Sequence, residues 1–256
     1  MYTSIVLITL PYLASALPGY DSRVAKRDST LIPTSCFDST SSLTSYFNYN
    51  YPWGDTHNGA AIMSSSHAVI STSGTLTLNA TYTGASDYSY DSGTVYAKDS
   101  FTVETSGGLS LSADFIAPVA TGTWPAFWLN GVNSWPPEVD IAEWKGTGEI
   151  SFNTFNTSSA VESKNVDYPD PSDFHTVKAE LRDENGSDVS IGFYLDGTLI
   201  ATQYAEGLVG QPLNLIIDLQ MEGSSGSPGP TGIGADTNDI ATLYQIKNLE
   251  VVSLNP

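Results

Sequence analysis

Apolar positions along this chain fall into short runs. Some alternate with polar residues at every second position and others stay apolar for a strand's length before Gly, Pro, Asn or Asp interrupts them. The pattern recurs at His67–Ser71, Thr75–Asn79, Gly93–Ala97, Phe101–Glu104, Leu109–Ala117 and Trp124–Leu129. It continues at Glu138–Trp144, Glu149–Phe155, His175–Leu181, Val189–Leu195, Thr198–Tyr204, Leu213–Gln220 and Leu243–Leu254. Period-two runs bounded by turn residues predict antiparallel strands. No window carries an apolar stripe of helical period over three turns. Asp196-Gly197, between two such runs, predicts a type I′ hairpin, because both turn positions need positive φ. Past residue 28 there is neither an internal repeat nor a linker long enough to divide the chain. So many short strands in one domain predict an all-β fold, a jelly-roll sandwich of two antiparallel sheets. The Gly/Pro/Ser-rich stretch Glu222–Ala235 is predicted to be a mobile loop, and it lacks the lysine of a phosphate-binding loop.

Composition narrows the function classes. The 256 residues suit one sizeable β domain, and only 14% of them are charged. Nine basic residues against 28 acidic ones give a formal charge of −19, which disfavours nucleic acid and anionic membranes as partners. A neutral substrate, a monomeric state and no cofactor are expected. Ser4–Leu13 is an apolar run too short to span a bilayer, and Ala14-Ser15-Ala16 after it fits a signal-peptidase site. Residues 1–16 therefore read as a signal peptide. Residues 17–27 read as a propeptide ending in the dibasic Lys26-Arg27, and residues 28–256 as one secreted domain beginning at Asp28. Sequons at Asn79, Asn156 and Asn185 fit a glycosylated surface. Cys36 is the only cysteine, so no internal disulfide forms and a buried position is expected.

The chemistry concentrates in Trp124–Leu129 (WPAFWL), Trp135-Pro136-Pro137 and Glu138–Trp144 (EVDIAEW). Three carboxylates within six residues of an apolar strand are costly to bury unless they face a wet groove. On a regular strand Glu138 and Asp140 share a face while Glu143 points away. A β-bulge at Ile141-Ala142 would bring Glu143 beside them and turn Val139 and Trp144 to the core. Paired carboxylates suit glycoside hydrolysis by double displacement, for which the two groups must approach to ~5–5.5 Å. The bland alternative is an acidic strand face, solvated or binding calcium. Trp124, Trp128 and Trp135 shift the balance, since indole faces stack on pyranose rings; Trp128 and Trp144 are the stronger candidates for core packing. His57 and His67 are too isolated to form a metal site.

These residues closely resemble glycoside hydrolase family 16, whose bulged signature Glu-[Ile/Val]-Asp-x-x-Glu stands here as Glu138–Glu143. The resemblance extends to Phe174-His175-Thr176, Tyr194–Gly197 and Pro212–Gly223, and so runs from about Gly93 onward. It implies a concanavalin A-like β-jelly roll, a glycan cleft and retaining hydrolysis. It further implies that Glu138 is the nucleophile, Asp140 its assistant and Glu143 the general acid/base. The bulged form is similar to the β-1,3-glucanase (laminarinase) and β-1,3-galactanase branches. Three positions depart from laminarinases. Asn153-Thr154-Phe155 stands for His-Tyr-Gly, Leu181 for a tryptophan, and Ser224-Ser225 for another tryptophan. Fewer aromatic platforms point toward another sugar and make β-1,3-galactan a serious candidate, with β-1,3-glucan still held narrowly ahead of it. Asn153 and His175 join the three tryptophans as candidate substrate-binding residues, although His175 reads better as ordering a strand end. Two other readings stand beside endo-hydrolysis: a transglycosylase using the same carboxylates, and a non-catalytic lectin, which would not need all three.

Overall fold

The computed structural model describes residues 27–71, 74–85, 88–222 and 241–255. The proposed signal peptide, nearly all of the propeptide and most of the Gly/Pro/Ser-rich loop lie outside them. Among the described residues, seventeen strands form two sheets. One has seven strands, in the order Val161–Asp167, Glu149–Phe155, Glu138–Glu143, Thr123–Gly131, Leu213–Met221, Thr94–Ala97 and Phe47–Tyr49. The other has ten. Its main path runs Thr198–Ala205, Val189–Leu195, His175–Asp183, Gly108–Ile116, Thr242–Leu254, Leu76–Tyr82, Tyr90–Ser92 and Ala61–Met63, and Ser29–Ile32 and Ala68–Ile70 pair alongside it. All the pairings are antiparallel except that of Ala61–Met63 with Tyr90–Ser92. The expected two-sheet jelly-roll sandwich is what the chain forms.

Alternation of side chains explains the layering. Phe127 and Leu129 from one sheet, and Leu111, Ala113 and Phe115 from the other, are buried in the core between them. Aromatic rings meet across that interface, Phe115 with Phe127 at 5.3 Å and Phe152 with Phe193 at 5.5 Å between centroids. Trp144 is completely buried, against Phe115, Tyr168 and Tyr244, as its expected core role requires. Each such fully buried aromatic contributes about 1.5–3 kcal/mol through apolar area alone. Cys36 is buried as well, and desolvation pushes its thiol up to about 12, so it stays a thiol and packs as a small hydrophobe.

The predicted hairpin forms as expected. Leu195 pairs with Thr198, and Asp196 and Gly197 have φ of 47° and 77°. Phe101–Glu104 is a correction to the predicted strands. Phe101 makes only an isolated bridge to Leu213, and the run is apolar because Phe101 and Val103 fill the core. Five strands escape the pattern. Ser29–Ile32, Phe47–Tyr49, Ala61–Met63 and Tyr90–Ser92 have four residues or fewer, too few to show a period. Val161–Asp167 (VESKNVD) is a polar edge strand. A two-turn α-helix, Thr40–Tyr46, is capped by Ser39, whose hydroxyl accepts from the amide of Ser42.

Candidate active site

The central strands of the seven-stranded sheet have both faces covered, one by the core and the other by a cleft of about 610 Å³. Along Thr123–Gly131 the alternation sends Phe127 and Leu129 inward and Trp124, Ala126, Trp128 and Asn130 to the cleft. Along Leu213–Met221, Leu215, Ile217 and Leu219 are in the core while Asp218 and Gln220 line the cleft.

The strand Glu138–Glu143 breaks this alternation where the sequence demanded it. Asp140 lies opposite Asn153 on one neighbour and Trp128 on the other. Glu143 lies opposite Ser151 and Ala126, with the register shifting between them. The extra residue of the bulge restores parity. Glu138, Asp140 and Glu143 all line the cleft, and Val139, Ile141 and Trp144 are fully buried.

Donors from separate elements hold the carboxyl groups. Trp135 Nε1 donates to Glu138 Oε2 at 2.9 Å, and Trp124 Nε1 donates to Glu143 Oε1 at 2.5 Å. Asn153 Nδ2 donates to Asp140 Oδ2 at 2.9 Å and to Glu143 Oε2 at 3.0 Å, so those two oxygens are at most about 6 Å apart. The amide is itself oriented by Ser163, whose hydroxyl donates to Asn153 Oδ1 at 2.6 Å. Lys145 Nζ is 2.7 Å from Glu143 Oε2. Burial pushes Glu138 up to about 7, and the charge of Glu143 adds to this while the Trp135 hydrogen bond opposes it. Asp140 is held well above the usual carboxylate range, first by burial and then by the charges of Glu143 and Glu138.

Of the tryptophans expected to bind substrate, Trp124 and Trp135 line the cleft, and Trp135 is half exposed. Trp128 meets both expectations: it is buried within the core cluster and also lines the cleft, where its indole N–H donates to Asp218 at 2.7 Å. Asn153 is a correction. It lies beneath the carboxylates and binds them, and it is not part of the cleft wall. His175 is a second: it stands on the ten-stranded sheet, away from the cleft. Its Nδ1 faces Asp196 at 2.8 Å and its Nε2 faces the carbonyl of Asp170 at 2.9 Å, the strand-ordering role rather than a substrate contact.

Several cleft residues were not anticipated. Asp218 is a lone carboxylate in the apolar run LNLIIDLQM, the same signal that marked Glu138–Glu143. Trp53, His57 and Asn58 come from an irregular segment with no period to read. His57 stacks on Trp128 at 5.6 Å, and Trp53 packs edge-on to Trp128 at 6.1 Å. That segment is tied to the sheet by Gln220, whose Oε1 accepts from the amide of Ala61 at 3.0 Å. Gly59 passes so close that a β-carbon there would meet the Gln220 side chain at 2.2 Å.

The comparisons agree with this geometry. A galactan endo-beta-1,3-galactanase from Flammulina velutipes is 47% identical over 234 residues, spanning 87% of this chain and 89% of its own length. An endo-1,3-beta-glucanase from Streptomyces sioyaensis superposes with a TM-score of 0.69 at 21% identity, covering 83% of this chain and 91% of that one. The laminarinase catalytic domain from Thermotoga maritima MSB8 gives 0.64 at 21% identity, covering 82% and 92%. At such identity these two structures speak for the fold alone. Residues 56–226 match Glycosyl hydrolases family 16, and with the fold, the bulge and the galactanase relative this places the chain in that family, as an O-glycosyl hydrolase.

Proposed function

We propose that the protein is a secreted, endo-acting, retaining hydrolase of neutral β-1,3-galactan, with Glu138 as nucleophile, Glu143 as acid/base and Asp140 as their orienting partner. The observation that carries the reading is the bulge after Asp140, which brings three carboxyl groups to one face of the cleft. Aromatic groups flank them on both sides, Trp135 with Phe155 toward one sheet edge and Trp53, His57 and Trp128 toward the other. A polymer lying across the strands would stack at both ends. Galactan is favoured over glucan by the galactanase relative and by the departures from laminarinases at Asn153-Thr154-Phe155.

In the first step Glu138 attacks the anomeric carbon and the glycosidic C–O bond breaks. The departing oxygen takes the proton of Glu143. In the second, Glu143 takes a proton from water, whose oxygen attacks the same carbon and releases Glu138. Four carboxyl groups share the cleft with the ammonium of Lys145, so burial keeps a proton among them near neutrality. Lys145 Nζ, Asn153 Nδ2 and Trp124 Nε1 all lie against the Glu143 carboxyl, whereas Glu138 has the Trp135 donor. The assigned roles place the shared proton on Glu143 as the glycosidic oxygen reaches it.

Azide tests the assignment directly. Glu138→Ala should form an α-galactosyl azide from an activated aryl galactoside, and Glu143→Ala a β-galactosyl azide. Wild-type rates in either variant, or the reverse stereochemistry, overturn it. Short reducing oligosaccharides from β-1,3-galactan are expected, and lengthened chains would indicate a transglycosylase instead. Secretion and processing are supported by the leader pattern and by the strand Ser29–Ile32, which starts just after the dibasic pair. N-terminal sequencing of the secreted protein should find Asp28, and a start at Leu17 removes the propeptide.

A further inference from the structure

Asp218 is a buried carboxyl group that the double displacement does not use. It is 3% exposed, and it lines the cleft from the middle of Leu213–Met221. Tyr51 donates its hydroxyl to Oδ2 at 2.9 Å and Trp128 donates its indole N–H to Oδ1 at 2.7 Å. Each oxygen is thus pinned by one donor from a different element, and each retains a lone pair that accepts nothing from the protein in these contacts. Burial pushes the group up to about 7 against those two donors, with the charges of Glu143 and Glu138 adding to it.

The register puts Asp218 in line with the reacting groups. Asp218 lies opposite Ala126, and Ala126 lies opposite Glu143. Two strand spacings, roughly 9–10 Å, separate the backbones of Asp218 and Glu143. The residue between them carries only a methyl group, so space for a pyranose ring opens over Ala126, with Trp128 on the next cross-strand row. Galactose and glucose differ only in the orientation of the C4 hydroxyl. Discrimination needs a fixed polar group on one side of the ring, and a desolvated carboxyl held by two donors is such a group.

We infer that Asp218 accepts a hydrogen bond from the C4 hydroxyl of the sugar unit lying over Ala126, and so sets a preference for galactosyl over glucosyl chains. This rests on the proposed β-1,3-galactanase activity. Asp218 is a specificity residue that contacts substrate and takes no part in bond cleavage.

The test pairs a protein change with a substrate change. Wild type, Asp218→Asn and Tyr51→Phe are assayed on an aryl β-1,3-galactobioside and on its 4-deoxy analogues, with thermal unfolding recorded for each protein. In wild type, the 4-deoxy change in one ring should lower kcat/KM on the order of 10- to 100-fold, the loss of a hydrogen bond to a buried polar group left without its partner. In Asp218→Asn the same change should cost much less, and the ratio of galactan to glucan cleavage should fall. Tyr51→Phe keeps the Asp218 carboxyl and should keep most of the deoxy penalty. If Asp218 merely braces Tyr51 and Trp128, the deoxy penalty will be the same in Asp218→Asn as in wild type, and that overturns the inference. If Asp218→Asn does not fold, an equal rate of wild type on the deoxy and parent substrates overturns it without the variant. A wild type inactive on galactan but active on another glycan would instead overturn the proposed function.

Discussion

Asn153 shows how one residue changes meaning between sequence and structure. In the chain it reads as a departure from the His-Tyr-Gly of laminarinases, hence a substrate contact. In space its amide bridges Asp140 and Glu143, two buried groups whose mutual repulsion it offsets. Removing it leaves both with one donor fewer in a desolvated site, where the penalty is about 1–3 kcal/mol. Asn153→Ala should therefore lower kcat about 10- to 100-fold with little change in KM. It should also raise Asp140 further, moving the acidic limb of the rate profile upward. Asp140→Asn should be milder than Glu138→Gln, because Asp140 forms no covalent bond in the proposed sequence. Steady-state kinetics across pH checks both, and an Asp140→Asn variant as inert as Glu138→Gln with native folding would put the nucleophile on the wrong residue.

Among the elements, the hairpin at Asp196-Gly197 does more than turn the chain. Asp196 Oδ1 accepts from the amide of Thr176 at 2.9 Å, and Oδ2 faces His175 Nδ1 at 2.8 Å, so the turn clamps the start of His175–Asp183. Both imidazole nitrogens of His175 face acceptors, which requires two N–H groups and favours the cation. Partial burial opposes that charge, but the Asp196 carboxylate and the Asp170 carbonyl outweigh it and raise the pKa above the usual histidine value. A raised value stabilises the fold below the unfolded pKa near 6.5 and stops doing so as pH rises through the folded one. Asp196→Asn keeps the turn's positive φ tolerable and removes the charge. It should lower stability by about 0.5–1.5 kcal/mol at pH 6, less by pH 8.5, and leave kcat unchanged. Urea denaturation at the two pH values measures this, and a large fall in kcat would return His175 to the active site.

For the molecule as a whole, the buried carboxyls reverse the usual direction of pH dependence. Glu138 and Asp218 sit at about 7, and Asp140 is raised as well, all chiefly by burial. Between pH ~4 and ~7 the folded protein binds more protons at these groups than the unfolded chain does, so stability falls as pH rises. The formal charge of −19 works in the same direction, since protonation relieves self-repulsion. Asp170, Asp183 and Asp188 act the other way. Hydrogen bonds from Ser172, Ser106 and Asn185 respectively lower their pKa values, so their contribution is lost only as pH falls below the ordinary carboxylate range. Tm should therefore be several degrees higher near pH 5 than near pH 8, at about 2–4 °C per kcal/mol for a chain of this size. Calorimetry showing Tm rising steadily to pH 8 would contradict the burial of the cluster as a charged site.

What the sequence determined by itself was local. Strand alternation, the Asp196-Gly197 turn and the parity break that three carboxylates force on Glu138–Glu143 all depend on neighbours within a few residues, where side-chain direction follows from the backbone alone. The sandwich followed from those, since many half-apolar strands have only each other to cover them. The tertiary structure alone decided which polar residues meet. Asp218 and Ala126 are 92 positions apart and Tyr51 and Asp218 are 167 positions apart, and only sheet order and register bring them together. The irregular segment carrying Trp53 and His57 has no period to betray its place. His175 stands at a strand end whose sheet the sequence does not reveal, and only the sheet order and its contacts with Asp196 and Asp170 place it away from the cleft.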